Sequence, residues 1–464
     1  MRDVVDHPPA VKVALARRVT WHSAIIVALG AALLVTVSLG PMTGELGRVA
    51  PFVWLFTAFV GALQCLLLVE LAAAFPERAG GTATYVHSAF GGRLPLMGAV
   101  SSWGYWFAWT PGVAVNLILA AACLRATVWH GLDVLPSAIA GGVVLYAANA
   151  LGLRVSMRVA GCIALVAVAS LLLILGGALI HAGEIHVARV DAAHITRQSG
   201  SPDWSLARLA KWTFVAAWSA YGAEIASTVI AEMRGPQSGA SHALLGAAGI
   251  GLLMFGAVPF IALALVGVYA LAADPLTAFL PIAQAGFSDT GRPLVGVMFA
   301  SGLALGALAF IVGSSRTVYQ MAEDGYLPRE MAAVNKRGVP IGSLALDAAI
   351  MLLLLTIFGL HVVDVVAAAN IGYLVVFVLI PIAYLALHRG REPARRKPAL
   401  AYLAAALVVF NAALLVVGAL QWGGGVMVTG TTVMMLVLPV WLLRRLQDRR
   451  ISHRRRGRAT ANAS

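Results

Sequence analysis

Trp218-Ser219-Ala220-Tyr221-Gly222-Ala223-Glu224 is the stretch on which the fold turns. It lies near the middle of a hydrophobic run, 208–232, and sets a carboxylate, a hydroxyl and a glycine among small and aromatic side chains. What that carboxylate costs depends on the medium around it, and composition decides the medium. Of 464 residues, 60% are apolar and only 11% charged, against about a quarter charged in a soluble domain. A chain of this length and composition has no water-compatible surface. In a bilayer the backbone must satisfy itself, so long apolar runs become helices, each needing about 20 residues to cross. Charge-free runs of that length recur at 49–69, 94–124, 134–153, 159–180, 243–273, 293–315 and 365–387. The run 399–443 is long enough for two, with Gly423-Gly424-Gly425 as the break.

Read in order, the spans fall near 20–43, 48–74, 94–126, 134–152, 158–181, 208–232, 243–271, 293–320, 341–360, 365–387, 399–421 and 425–443. With twelve spans the loops alternate between two sides. Arg48, Arg125, Arg189, Arg197, Arg208, Lys211 and Arg292 fall on one of them, and the rest of the 33 Lys and Arg share the side of the termini. Basic loops stay cytoplasmic, so an inner-membrane protein with both termini inside is expected. Residues 1–19 have charges but no apolar core ending in small residues, which reads as a cytoplasmic arm and not a cleavable signal. The net charge of +13 sits mostly in 389–397 and in the basic tail 444–464, both abutting a span. Orientation and contact with anionic lipid account for it better than nucleic acid does. Cys65, Cys123 and Cys162 all lie inside apolar runs, as small core residues do. Neither a disulfide framework nor a metal or cofactor site is indicated. No domain boundary is visible: 20–181 and 208–387 form two halves joined by a polar loop, 182–207, and 399–443 follows them.

Three carboxylates break the membrane rule: Glu70, Glu224 and Asp347. A charge inside a span is expensive, so each is a functional candidate by default. Glu70 is one turn from the cytoplasmic end, where snorkelling or a basic neighbour would suffice. Asp347 is two turns into the ninth span, and structural and functional readings stand level. Glu224 is near mid-depth, where a carboxyl group can take up and release a proton; a fixed helix–helix hydrogen bond is its structural alternative. The first span has its own anomaly, Thr36-Val37-Ser38-Leu39-Gly40-Pro41. Proline removes a helical hydrogen bond, and glycine frees the backbone. Ser219 and Gly222 occupy the corresponding place five spans later, and paired interruptions in two halves of a transporter mark its binding site. Trp103, Tyr105, Trp106 and Trp109 cluster in the third span, with Trp109 deep enough to line a pathway. Asn116 reads as an interhelical hydrogen bond.

From about residue 16 to 443 the chain resembles the amino acid–polyamine–organocation superfamily of transporters. Four segments carry the resemblance: Val37-Ser38-Leu39-Gly40-Pro41 with Glu45; Glu70-Leu71-Ala72-Ala73-Ala74-Phe75-Pro76-Glu77 with Gly80-Gly81-Thr82 and Tyr85; Trp218 to Glu224 with Glu232-Met233-Arg234-Gly235-Pro236; and Ser315-Arg316-Thr317 with 321–328 and Val334-Asn335-Lys336. It implies an all-helical membrane protein of the leucine-transporter fold. In that fold spans 1–5 and 6–10 are inverted repeats, and spans 1 and 6 are broken at the site. The sixth span is similar to that of the arginine/agmatine antiporter. There the tryptophan matching Trp218 packs over the substrate, the glutamate matching Glu224 couples transport to protonation, and an aromatic matches Phe310. The antiporter's Gly-Ser-Gly in the first span is absent. An ungapped match sets Leu33-Leu34-Val35 there, whereas the polyamine-type match sets Ser38-Leu39-Gly40.

Taken together these readings predict an amino acid permease and not an enzyme: a secondary transporter moving an amino acid or related amine by alternating access, with a proton as partner or by exchange. The solute would meet Val35, Thr36, Ser38, Gly40, Ser219, Tyr221 and Gly222, with Trp109, Trp218 and Phe310 around its side chain and Glu224 coupling the proton. A polyamine carrier of the same fold and an uncoupled channel or receptor stay open as alternatives. The solute and the direction of transport are not legible; nor is the assembly, for which a homodimer stays open.

Overall fold

A computed structural model describes residues 19–32, 35–78, 80–90, 93–180, 205–273, 292–358, 361–389 and 397–461. The loop expected at 182–207 lies almost wholly outside them. Apart from two isolated bridges, the described residues form helices and connecting turns. In chain order the α-helices are α1 (Trp21–Ala32), α2 (Val35–Leu46), α3 (Ala50–Ala74), α4 (Ala83–Phe90), α5 (Pro95–Thr127), α6 (Val134–Ala150), α7 (Leu153–Ile180) and α8 (Leu206–Ala220). They continue as α9 (Pro236–Ala272), α10 (Arg292–Glu323), α11 (Ile341–Phe358), α12 (Val362–Arg389), α13 (Pro398–Ala413), α14 (Gly423–Met435) and α15 (Val437–Ala461). Among the described residues eight helical stretches are long and apolar enough to cross a membrane, and four shorter apolar helices accompany them. Twelve full crossings are therefore more than the described residues display.

Burial separates the helices into a centre and a periphery. α5 is buried without a break from Ser101 to Cys123, as is the whole of Trp212–Glu232. By contrast α13 and α14 bury few side chains. α5 packs against α10 and α12, α3 against α9, and α1 against α10 and the segment that follows α8. A centre this apolar penalises polar atoms that find no partner inside the protein. The polar atoms at that centre therefore define the site.

Two expected interruptions come out differently. The sixth span changes character where anticipated. α8 ends at Ala220, Tyr221 caps it by donating its N–H to Ala217 O (3.0 Å), and Gly222–Glu232 continues as a 3-10 helix. Runs of that helix beyond three or four residues are uncommon and mark hinges or strain. The interruption expected at Thr36–Pro41 is not there: these residues are α-helical within α2, with Pro41 inside it. One proline deletes a single backbone bond, which packed membrane helices tolerate, and Thr43 Oγ1 adds a bond back to Leu39 O (2.7 Å). Leu33 and Leu34, where the antiporter-type match falls, lie outside the described residues.

Candidate functional site

Glu224 lies in the first turn of the 3-10 segment and is completely buried. Three hydroxyls from three parts of the chain converge on it. Thr82 Oγ1 and Tyr105 Oη donate to Oε2, each at 2.8 Å, and Tyr373 Oη donates to Oε1 at 3.0 Å. No lysine or arginine forms an ion pair with it among the described residues, so neutral donors alone hold this carboxyl group. Their convergence rests on glycines. Gly80 and Gly81 both take positive φ (83° and 79°), a region closed to most side chains, and so deliver Thr82 into the centre. A Cβ on Gly81 would stand 2.9 Å from Tyr105 Oη. Gly104 and Gly372 let α5 and α12 cross backbone on backbone, since a Cβ on Gly104 would meet Gly372 O at 2.8 Å. The residues that follow them, Tyr105 and Tyr373, are the two phenols on Glu224. Gly104→Val is therefore expected to destabilise the protein by about 1–3 kcal/mol through overpacking. Thermal unfolding in detergent would read this, and an unchanged melting temperature would refute the close crossing.

Beside the carboxyl group lies a cluster of rings. Trp109 stacks on Phe310 (centroids 4.7 Å apart, 22° between planes), and Trp218 lies 5.8 Å from Trp109 and 6.2 Å from Phe310. Tyr373 meets Trp109 edge-on at 4.9 Å, which joins the cluster to the Glu224 network. Trp218 Nε1 donates to Ala108 O (2.8 Å), fixing its indole against α5. Trp109, Trp218, Phe310 and Glu224, read from sequence as one site, thus stand together. Ser219 and Gly222 are buried at the α-to-3-10 junction next to them. Tyr221 points elsewhere: its hydroxyl donates to Asn411 Oδ1 (3.1 Å) and its ring meets Phe377. Ser38 and Gly40 are buried in α2, which packs against α8, and Ser38 Oγ has no partner among the described residues. The side chains of Val35 and Thr36 lie outside the described ones. Glu70 receives Lys397 Nζ at 2.6 Å, the basic neighbour that its depth called for.

Charged latches stand at both ends of this centre. At the end with most of the Lys and Arg, here the basic end, Arg78 donates to Asp324 (2.5 Å), as does Gln320 Nε2 (2.9 Å). His87 Nδ1 meets Tyr326 Oη at 2.5 Å. Burial holds the His87 ring below its ordinary pKa, Asp324 opposing that shift and Arg78 adding to it. Deeper in, Arg316 Nε pairs with Glu232 Oε1 (3.0 Å), both side chains under 5% exposed. At the opposite end Glu45 accepts from Lys211 Nζ (2.6 Å) and Trp212 Nε1 (2.9 Å), and Lys211 Nζ lies 4.8 Å from the Trp422 ring.

Sequence reasoning missed Thr82, Tyr105 and Tyr373 as partners of Glu224. A hydroxyl in an apolar run signals a need for an acceptor, yet nothing local says which acceptor it finds.

The comparisons agree with this architecture. Residues 19–443 match the family profile described as amino acid permease. An uncharacterized transporter of Mycobacterium tuberculosis is 29% identical over 351 residues, covering 72% of this chain and 71% of its own length. The aromatic amino acid transport protein AroP of Escherichia coli is 29% identical over 143 residues, 28% of this chain and 29% of its own length. Among solved structures, a manganese transporter of Eremococcus coleocola superimposes with a TM-score of 0.59 at 12% identity, over 96% of this chain and 98% of that one. That likeness speaks for the fold alone. A multi-pass membrane protein of this fold, matched over nearly its whole length, belongs to the amino acid permease family.

Proposed function

We propose that this permease is a proton-linked secondary transporter of neutral amino acids with aromatic or bulky apolar side chains. The observation that carries the reading is the ring cluster Trp109–Phe310–Trp218 built directly against the buried Glu224, which has no Lys or Arg partner among the described residues. Rings supply an apolar enclosure with an electron-rich face. Glu224, at the change of helix type in the sixth span, supplies a group whose charge can be cancelled by one proton. The partial similarity to an aromatic amino acid carrier leans the same way. The site residues are those read from sequence except Tyr221, with Thr82, Tyr105 and Tyr373 added as the cradle of Glu224.

In this reading the chain makes twelve crossings of the cytoplasmic membrane with both termini inside, and its repeats are spans 1–5 and 6–10. Packing of α3 on α9 and α5 on α10, helices five spans apart, supports the repeat. The basic end is then cytoplasmic, and the latches at the two ends are the inner and outer gates of alternating access. A channel would want one open path, whereas here ion pairs are packed at both ends. A polyamine would want a second anionic partner, and Glu45, which follows the first-span motif, is already held by Lys211.

Proteoliposomes with an imposed pH gradient test the proposal. Radiolabelled phenylalanine is expected to accumulate, with competition by tyrosine, tryptophan and leucine and none by putrescine. Uptake blocked by putrescine but not by amino acids would sink it.

A further inference from the structure

Another buried carboxylate lies away from the Glu224 network, and its surroundings are just as complete. Asp347, on α11, has no exposed surface. Trp106 Nε1 (3.0 Å) and Thr110 Oγ1 (2.7 Å), both on α5, reach its Oδ1. Tyr146 Oη on α6 (2.8 Å) and Ser314 Oγ on α10 (2.6 Å) reach its Oδ2. A carboxylate offers about four acceptor positions, and four donors take them. Among the described residues no Lys, Arg or His pairs with it. The donors are placed tellingly. Trp106 and Thr110 bracket Trp109 on α5, and Ser314 stands one turn beyond Phe310, whose carbonyl also lies 2.7 Å from Ser314 Oγ. A single side chain on α11 thereby holds the two helices whose rings stack at 4.7 Å.

We propose that Asp347 is the positioning residue of the aromatic site: it locks α5 and α10 in the register that stacks Trp109 on Phe310, without touching the solute. The inference rests on the reading that these rings enclose the solute, but its geometric half does not. Asparagine at 347 keeps Oδ1 for Trp106 and Thr110, and its amide can donate to the hydroxyls of Tyr146 and Ser314, which accept as well as donate. Leucine keeps none of this.

The test is 5-fluorotryptophan NMR of the full chain in nanodiscs, with the Trp109 resonance assigned by Trp109→Phe, beside phenylalanine uptake. Asp347→Leu is expected to shift or broaden the Trp109 resonance and to raise KM about tenfold with little change in maximal rate, as loss of positioning does. Asp347→Asn should restore both. If Asp347→Leu does not fold, Thr110→Val with Ser314→Ala removes two of the four donors and should move both readouts the same way, by less. A Trp109 resonance untouched by Asp347→Leu, or by the double variant in its place, overturns the proposal. So does loss of uptake in Asp347→Asn with the resonance in place, which would make Asp347 a proton carrier. A displaced resonance with unchanged KM upholds the positioning and removes these rings from the solute site instead.

Discussion

Glu224→Gln is expected to abolish proton-driven accumulation while leaving the protein folded and able to equilibrate its solute. A gradient of one pH unit is worth about 1.4 kcal/mol per proton, which supports about tenfold accumulation if one proton accompanies each solute. In the Gln variant the accumulation ratio should fall to about one, and uptake should lose its pH dependence. Folding is expected to survive because all three partners of Glu224 are hydroxyls, able to turn from donor to acceptor when an amide replaces one oxygen. Glu224→Ala is the contrast. It leaves Thr82, Tyr105 and Tyr373 with no acceptor, at about 1–3 kcal/mol for each buried orphan, and should lower the melting temperature where Gln does not. Paired uptake and melting curves on the two variants decide the matter. An unchanged pH profile in Glu224→Gln would remove this residue from the coupling.

A second large loss of stability is expected at the basic end, from Arg316→Ala. Its guanidinium donates to Glu232 at 3.0 Å and also reaches Ser315 Oγ (3.2 Å) and Val312 O (3.4 Å), in a setting almost closed to solvent. Removing one member of a buried pair strands the other, and costs about 3–5 kcal/mol. Removing both for apolar residues of similar size is close to neutral or better, so Arg316→Met with Glu232→Leu should recover most of the loss. Thermal unfolding of the single and double variants in detergent checks the pair. A double variant no better than the single would mean that the other contacts of Arg316, and not its charge partner, matter. Glu232 is also the last residue of the 3-10 segment, and its carbonyl accepts Val19 N–H at 2.9 Å. The single substitution therefore loosens the end of the sixth span together with the residue preceding the first.

The membrane class, most helix positions and the grouping of Glu224 with Trp109, Trp218 and Phe310 were legible because each rests on a signal carried by one residue or one run. A carboxylate in an apolar stretch stands out by itself, and so does a tryptophan beside it. The cradle of Glu224 was not legible. Thr82, Tyr105 and Tyr373 come from remote segments, and an apolar helix carries no periodic mark of which side faces its neighbour when all sides are buried. Asp347 was undecidable for the same reason, its partners being single hydroxyls and one indole on three other helices. The first span misled because glycine and proline in a membrane helix report only a local tolerance. Whether the helix stops there depends on the neighbours that pack it, and α2 runs straight through Gly40-Pro41.

Gly80 O accepts Thr317 Oγ1 from α10 at 3.1 Å, and two residues further on Thr82 grips Glu224. Two residues of chain span at most about 7 Å, too short to absorb displacement as slack. In the proposed transport cycle, a protonation event that released Thr82 would thus tug mechanically on the same helix that carries Phe310 and Arg316. Under that proposal the glycine pair acts as a tendon between the buried carboxyl group and the ion pairs at the basic end.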